Sequence, residues 1–243
     1  MHVSAHTDIG QQKQTNEDAV VTAQFDEVSL LVVADGMGGH AAGDVASEEA
    51  TTELEARVSA ALTDGRTDYE SILEEAIESA NERVQEHAEA DASRSGMGTT
   101  VVAAIVDDEQ IVIGNVGDSR AYDVDSEVDV DDALTQITVD HSFVQELISE
   151  GEITPEEATT HPQRHVLTQA LGTDGEVDPD FFSPVVKDYL LLCSDGLTEE
   201  VSEETIREVI NDASGIETAT DELVQKANEN GGSDNISVIL ADV

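Results

Sequence analysis

The sequence has 243 residues, 39% of them hydrophobic, and carries 55 Asp and Glu against 10 Lys and Arg, for a formal net charge of -45 and a pI near 4.1. Such a surface repels phosphate polymers and anionic membranes, which excludes nucleic-acid binding unless metal ions intervene. The length suits a single domain, 1–243, with a sizeable core.

The acidic residues run along the whole chain, with Lys only at positions 13, 187 and 226. That pattern points to a halophile, whose concentrated-salt cytoplasm screens the self-repulsion. One cysteine, Cys193, rules out an internal disulfide and fits a reducing compartment; within "DYLLLCSDG" it reads as a small buried hydrophobe. "MHVSAHTDIG" lacks the regions of a signal peptide, and no apolar run approaches the roughly 20 residues that cross a bilayer. The expectation is a soluble cytoplasmic protein.

In chain order, residues 28–34 (VSLLVVA) predict a strand, and 45–62 and 69–90 predict two long helices with acidic faces outward. Strands follow at 99–106, 110–116 and 119–124, the polar "DDEQ" at 107–110 marking a hairpin. Several of these runs are apolar on both faces, which implies sheets covered on each side. The acidic stretch 123–132 reads as a solvated loop. Residues 142–171 hold a short amphipathic helix, a "TPEEA" helix start with Thr154 as N-cap, and "THPQRHVL", together a flap-like insertion. A strand at 189–194, helices at 202–213 and 216–230, and a last strand at 235–241 complete the pattern.

In so acidic a chain an aspartate alone carries no signal; its position must supply one. Asp35, Asp118, Asp195 and Asp234 each stand where an apolar strand meets small residues, and Glu17 and Asp18 precede another apolar start. If these ends meet, the carboxylates raise one another's pKa and destabilise the fold unless divalent cations neutralise them. An oxygen-only set suits Mg²⁺ or Mn²⁺, and the Gly36 carbonyl is a further candidate ligand. The plainer alternatives are a helix-capping turn for Asp35 and its glycines, a hairpin turn for "GDSR" with Arg120 in a local ion pair, and strand-edge roles for Thr99 and Thr100. His40 reads as a helix-start residue, His161 and His165 as flap packing, and Arg164 as the partner of a neighbouring acid.

Six ordered blocks, "TDIGQQKQTNEDA", "VADGMGGHAAGDVAS", "GMGTT", "GNVGDSRAY", "LLCSDGL" and "GGSDNISVI", span nearly the whole chain. Together they resemble the metal-dependent protein phosphatases of type 2C in their bacterial form. The resemblance implies an α+β fold, a four-layer αββα sandwich of two central antiparallel sheets flanked by helix pairs, with a centre of two metals at one end. It implies that Asp35 bridges both ions and Gly36 offers its carbonyl. Asp195 and Asp234 would complete the other metal, and Glu17 and Asp18 would hold the first directly or through water. Asp118 with Asp195 would bind a third, looser ion, and 142–171 would be the family's variable flap.

The chemistry implied is hydrolysis of phosphoserine and phosphothreonine in proteins, substrates of a serine/threonine kinase, by a hydroxide bridging the metals, without a phosphoenzyme. The acting form would be a monomer. Lys13 stands where the family usually has a phosphate-gripping Arg, supplying charge but no bidentate fork. Met37 stands where animal members have a His proposed as general acid. A rival reading, a phosphatase-shaped module that senses phosphoprotein without cleaving it, would be marked by loss of a metal aspartate, and none is missing. A kinase-type nucleotide loop in "DGMGGHAAGD" is disfavoured because no GKS or GKT follows.

Overall fold

Strand side chains alternate between faces, so a run that is apolar at every position must lie between two covered surfaces. The computed structural model, which describes residues 1–38, 42–125, 134–173 and 175–243, shows this along β3 (Val28–Met37). Leu30 and Val32 pack against the helices α1 (Gly43–Thr63) and α2 (Tyr69–Ala90), while Leu31 and Val33 face a second sheet. All four are at most 1% exposed. His40 and most of the acidic 123–132 stretch lie outside the described residues.

The sheet containing β3 has the order β2-β3-β5-β6-β9, from β2 (Asp18–Phe25), β5 (Val101–Val106), β6 (Ile111–Val116) and β9 (Asp180–Phe182). The short β4 (Gly98–Thr99) adds to the end of β3. The second sheet runs β1-β11-β10-β7-β8, from β1 (His2–Asp8), β7 (Arg120–Val124), β8 (Leu134–Gln136), β10 (Tyr189–Cys193) and β11 (Ile236–Asp242). The pairings are antiparallel.

Three apolar layers follow. Leu31, Val33, Val102 and Ile113 meet Leu190, Leu192 and Ile239 between the sheets. Leu54, Val58, Leu73, Ile77 and Val84 of α1 and α2 cover one outer face. Helices α6 (Glu203–Asp212) and α7 (Ile216–Asn230) cover the other, setting Ile206, Leu223 and Ala227 against Leu191, Val238 and Leu240. This is the αββα order, and Cys193 is buried within it as a free thiol.

Local chemistry fixes the joins. In the β5–β6 hairpin, Asp107 Oδ1 accepts from the backbone N–H groups of Glu109 and Gln110, each at 2.8 Å, which closes the "DDEQ" turn. Thr154 opens the one-turn α4 (Pro155–Ala158) through a capping box with Glu157. The stretch 142–171 also carries α3 (Phe143–Ser149), capped by Ser142, and it returns to the sheets through bridges Ser142↔Leu167 and Thr99↔Leu171.

Strands β1, β2, β8 and β9 and the one-turn α5 (Asp195–Thr198) come in addition to the elements expected. The first two are edge strands, with β1 half-exposed along its length, so they carry too few apolar residues for a strong periodic signal. The expected strand 99–106 is broken at Thr100, whose side chain serves the site instead.

The layer between the sheets holds them in register, so Leu31→Ala is expected to lower stability by roughly 2–5 kcal/mol. Urea unfolding would show this as a lower midpoint at unchanged slope.

Candidate metal centre

Strand register places the first two carboxyls. Asp18 opens β2 directly opposite Asp35 near the end of β3. Asp195 begins α5 just beyond β10, Asp118 follows the left-handed turn at Gly117 (φ +108°) after β6, and Asp234 precedes β11. The two sheets therefore deliver their acidic ends to one place. A cavity of about 520 Å³ is lined there by Lys13, Glu17, Asp35, Gly36, Asp118, Asp195 and Asp234, with Arg164, His165 and Glu199 on its wall. A larger cavity of about 950 Å³ lies at the opposite ends of the same strands, around the β2–β3 and β5–β6 turns, but it gathers no buried carboxylates.

Small residues make the close approach possible. A Cβ on Gly36 would collide with the carbonyl oxygens of Gly43 and Glu17, so this position admits only glycine. The Gly36 N–H donates to the Glu17 carbonyl at 3.0 Å, which ties the loop carrying Glu17 to β3.

A scaffold of hydroxyls and amides holds the acids. The Asp35 N–H donates to Thr100 Oγ1 at 3.0 Å, and the Asp35 carbonyl accepts from Thr99 Oγ1 and from the Thr100 N–H, each at 2.9 Å. Thr100 Oγ1 in turn meets Ser119 Oγ at 2.7 Å, beside Asp118. Ser194 Oγ donates to Asp18 Oδ2 at 2.8 Å while accepting the Ser237 N–H at 3.0 Å. Buried Asn235 accepts the Glu17 N–H at 2.8 Å and donates to the carbonyls of Ile9 (2.9 Å) and Thr15 (3.0 Å), fastening residues 9–17 beside the cavity.

The electrostatics of this arrangement are unfavourable without a cation. Burial, followed by the charges of Asp18, Asp195, Asp118 and Asp234, pushes the Asp35 pKa well above the ordinary carboxylate range. Burial likewise raises Asp18 to about 7, despite hydrogen bonds from Ser237 and Ser194 that favour its anion. Asp118 rises to about 7 through burial and the charge of Asp195, and Asp195 to about 6 through burial and the charge of Glu199. Asp18 Oδ1 and Asp195 Oδ1 are buried and have no hydrogen-bond partner. Orphaned anionic oxygens in an oxygen-only set are what a hard divalent cation satisfies, so the residues fit such an ion.

Lys13 reaches in from the 9–17 loop and pairs with Asp234, its side chain 38% exposed. Burial opposes its charge, but the Asp234 hydrogen bond and the charges of Asp234, Asp35 and Glu17 raise its pKa overall. Arg120 forms a bidentate pair with Asp140, Nη2 to Oδ2 at 2.6 Å and Nε to Oδ1 at 2.9 Å. The local ion pair expected for Arg120 is present, and Asp118 still joins the acidic group.

A family model described as protein phosphatase 2C matches residues 7–241. The chain belongs to the protein phosphatase 2C family. It is 42% identical to "Serine/threonine phosphatase stp" of Listeria innocua, covering all of this chain and 96% of that one. "Protein phosphatase PhpP" of Streptococcus pneumoniae is 36% identical, with 100% and 98% covered. Among solved structures, serine/threonine phosphatase Stp1 from Staphylococcus aureus superposes with a TM-score of 0.90 at 42% identity, covering 99% of this chain and 94% of that one. The catalytic domain of the phosphatase PstP, in complex with two manganese ions, gives 0.84 at 35% identity, with 99% and 97% covered. The chain is therefore a metal-dependent serine/threonine protein phosphatase.

His165, Arg164 and Thr100 depart from the roles the sequence suggested. His165 is not packed inside the flap segment: it is exposed, and its Nδ1 lies 2.9 Å from Glu199 Oε1. A ring nitrogen of His165 and one carboxylate oxygen each of Asp195 and Glu199 lie within 4.8 Å of one another, a candidate metal-binding trio. Glu199 carried no signal of its own, since an acid four residues after Asp195 in an acidic helix looks like solvated surface. Arg164 takes no acidic partner among the described salt bridges and stands exposed on the cavity wall. Thr99 and Thr100 hold the Asp35 backbone, as above. His161, by contrast, does pack in the flap segment, with its ring centroid 6.2 Å from that of Phe143.

The raised pKa values make a pH signature. An aspartate ordinarily near 3.8 that stays protonated in the fold to about 7 destabilises the folded state progressively as pH rises between those values. Metal-free protein in high salt is expected to lose thermal stability from pH 4 to pH 7, with Mn²⁺ removing most of that slope. Asp35→Asn should raise the melting temperature of the metal-free protein at pH 8. Differential scanning calorimetry across pH checks both.

Proposed function

We propose that this chain hydrolyses phosphoserine and phosphothreonine in proteins phosphorylated by a serine/threonine kinase, using two divalent cations, Mn²⁺ or Mg²⁺, with room for a third. The observation that carries the reading is the convergence of Asp35, Asp118, Asp195 and Asp234 on a cavity that also contains Lys13, with Asp18 paired opposite Asp35 and orphaned oxygens on Asp18 and Asp195. Asp35, Asp195 and Asp234 are assigned the catalytic metals together with Glu17, Asp18 and the Gly36 carbonyl, and Asp118 the looser ion. When bound, such ions supply an activated water and offset the charge that builds on the phosphoryl oxygens.

The chain's own residues do the rest. Lys13, which pairs with Asp234 at the acidic group, draws the phosphate dianion into the cavity by point charge and leaves Asp234 free for metal when it turns to substrate. Thr99, Thr100, Ser194 and Asn235 fix the orientation of Asp35, Asp18 and Glu17, so little reorganisation is left for the reaction itself. Leucine and methionine side chains at 167 and 37 face the cavity and exclude bulk water from part of it. The stretch 142–171 acts as a flap at the mouth, and the whole of 1–243 works as one domain and as a monomer. No helix among the described residues is long and apolar enough to cross a membrane; the free thiol of Cys193 supports a reducing, cytoplasmic setting. The net charge of -45 supports adaptation to concentrated salt.

The test is turnover of a phosphothreonine peptide in concentrated KCl with and without Mn²⁺. Hydrolysis should require the metal, and Asp35→Asn and Asp195→Asn should each reduce kcat by several orders of magnitude while leaving the circular dichroism spectrum intact. Metal-independent turnover would defeat the reading. Lys13→Ala is expected to raise KM more than it lowers kcat, and transfer from concentrated to dilute KCl should lower the melting temperature.

A further inference from the structure

His165 belongs to the segment between α4 and Leu167, whereas Asp195 and Glu199 stand on α5 and its C-cap. Four residues apart on a helical turn, the two acids share one face, and both present oxygens towards the imidazole. The three ligand atoms close to within 4.8 Å. We infer that His165, Asp195 and Glu199 form a nitrogen-bearing ion site that clasps the flap segment to α5 and takes a borderline divalent ion, Mn²⁺ or Zn²⁺, in preference to Mg²⁺.

Four observations carry this. Asp195 has a buried Oδ1 with no hydrogen-bond partner, so one residue of the trio carries an oxygen that the protein itself leaves unsatisfied. Glu199 is paired with no lysine or arginine among the described salt bridges, unlike Glu49, Glu53 and Glu75, which engage Arg83, Arg57 and Arg66. The His165 and Glu199 side chains are 49% and 30% exposed, which gives an ion a way in from solvent. The backbone beside His165 is already anchored, with the Phe143 N–H donating to the Val166 carbonyl at 2.8 Å and the Thr168 N–H to the His141 carbonyl at 2.9 Å. The imidazole is thus held near the acids by more than its own side-chain torsions.

The ligand chemistry sets the preference. Imidazole suits borderline first-row ions, while Mg²⁺ keeps to oxygen donors and water, so the nitrogen separates this site from the oxygen-only aspartate group. Asp195 has two carboxylate oxygens and can serve both places. The inference rests on the proposed catalytic site only through that shared residue. Occupancy would fasten residues 155–167 against α5 at the rim of the cavity that admits substrate.

The experiment uses the full chain. Three-pulse electron spin echo on Mn²⁺-saturated protein should show nitrogen modulation, and isothermal titration should find a whole ion more than in His165→Asn. Tryptic cleavage after exposed Arg164 should slow several-fold on adding Mn²⁺ to the wild type, but not with Mg²⁺ and not in His165→Asn. Glu199→Gln should lose the same ion while keeping the Asp35-dependent ones. Nitrogen modulation that persists in His165→Asn, or an unchanged ion count in both variants, would overturn the clasp alone. Absence of any Mn²⁺ binding to the wild type would overturn the catalytic reading as well.

Discussion

The structure depends on one electrostatic conflict. Asp18 and Asp35 are paired across β2 and β3, Asp118 follows β6 of the same sheet and Asp195 follows β10 of the other, so four carboxyls crowd one end of the sandwich. None of them ionises freely there, because burial and mutual charge both favour the neutral acid. The apolar layers hold these acids together against their repulsion. The layer between the sheets fixes the strand ends, and the helix pairs fix the sheets from outside.

Lys13 apart, which pairs with Asp234, the protein has placed hydroxyls and amides around the acids rather than cations. Thr99, Thr100, Ser119, Ser194 and Asn235 are buried: Thr99, Thr100 and Asn235 bond to backbone, Ser194 to one Asp18 oxygen and Ser119 to Thr100, which leaves Oδ1 of Asp18 and of Asp195 without a partner. Had arginines stood there, the carboxylates would be neutralised permanently. Arg120 illustrates the alternative: drawn into a bidentate grip by Asp140, it stays off the acidic group while sitting two residues from Asp118. The raised pKa values of Asp18, Asp35 and Asp118 depend on this separation of fixed cations from the acids.

Much of this was legible in the sequence because two strong signals coincide. Runs apolar at every position, such as Leu30 to Ala34 and Tyr189 to Cys193, can only be strands between covered faces, and an acid at the end of such a run has no ordinary reason to be there. That logic finds β3, β5, β6, β10 and β11 and the aspartates at their ends. It misses β1 because an edge strand exposes half of each residue pair, so Val3, Ala5 and Thr7 alternate with His and Ser without a distinctive pattern. It misses His165 and Glu199 because neither is apolar, buried or beside a strand end. Only the return of the segment after α4 brings them within 2.9 Å, and no local spacing encodes that return.

Asn235 lies just before the final strand, yet its side chain grips the carbonyls of Ile9 and Thr15 and the amide of Glu17. β11 then pairs with β1 along seven residues. A chain still emerging from the ribosome therefore lacks both the clamp for its first acidic loop and Asp234. The loop carrying Glu17 is thus secured by a side chain 218 positions further along, and unpairing β11 would release that loop together with Asp234.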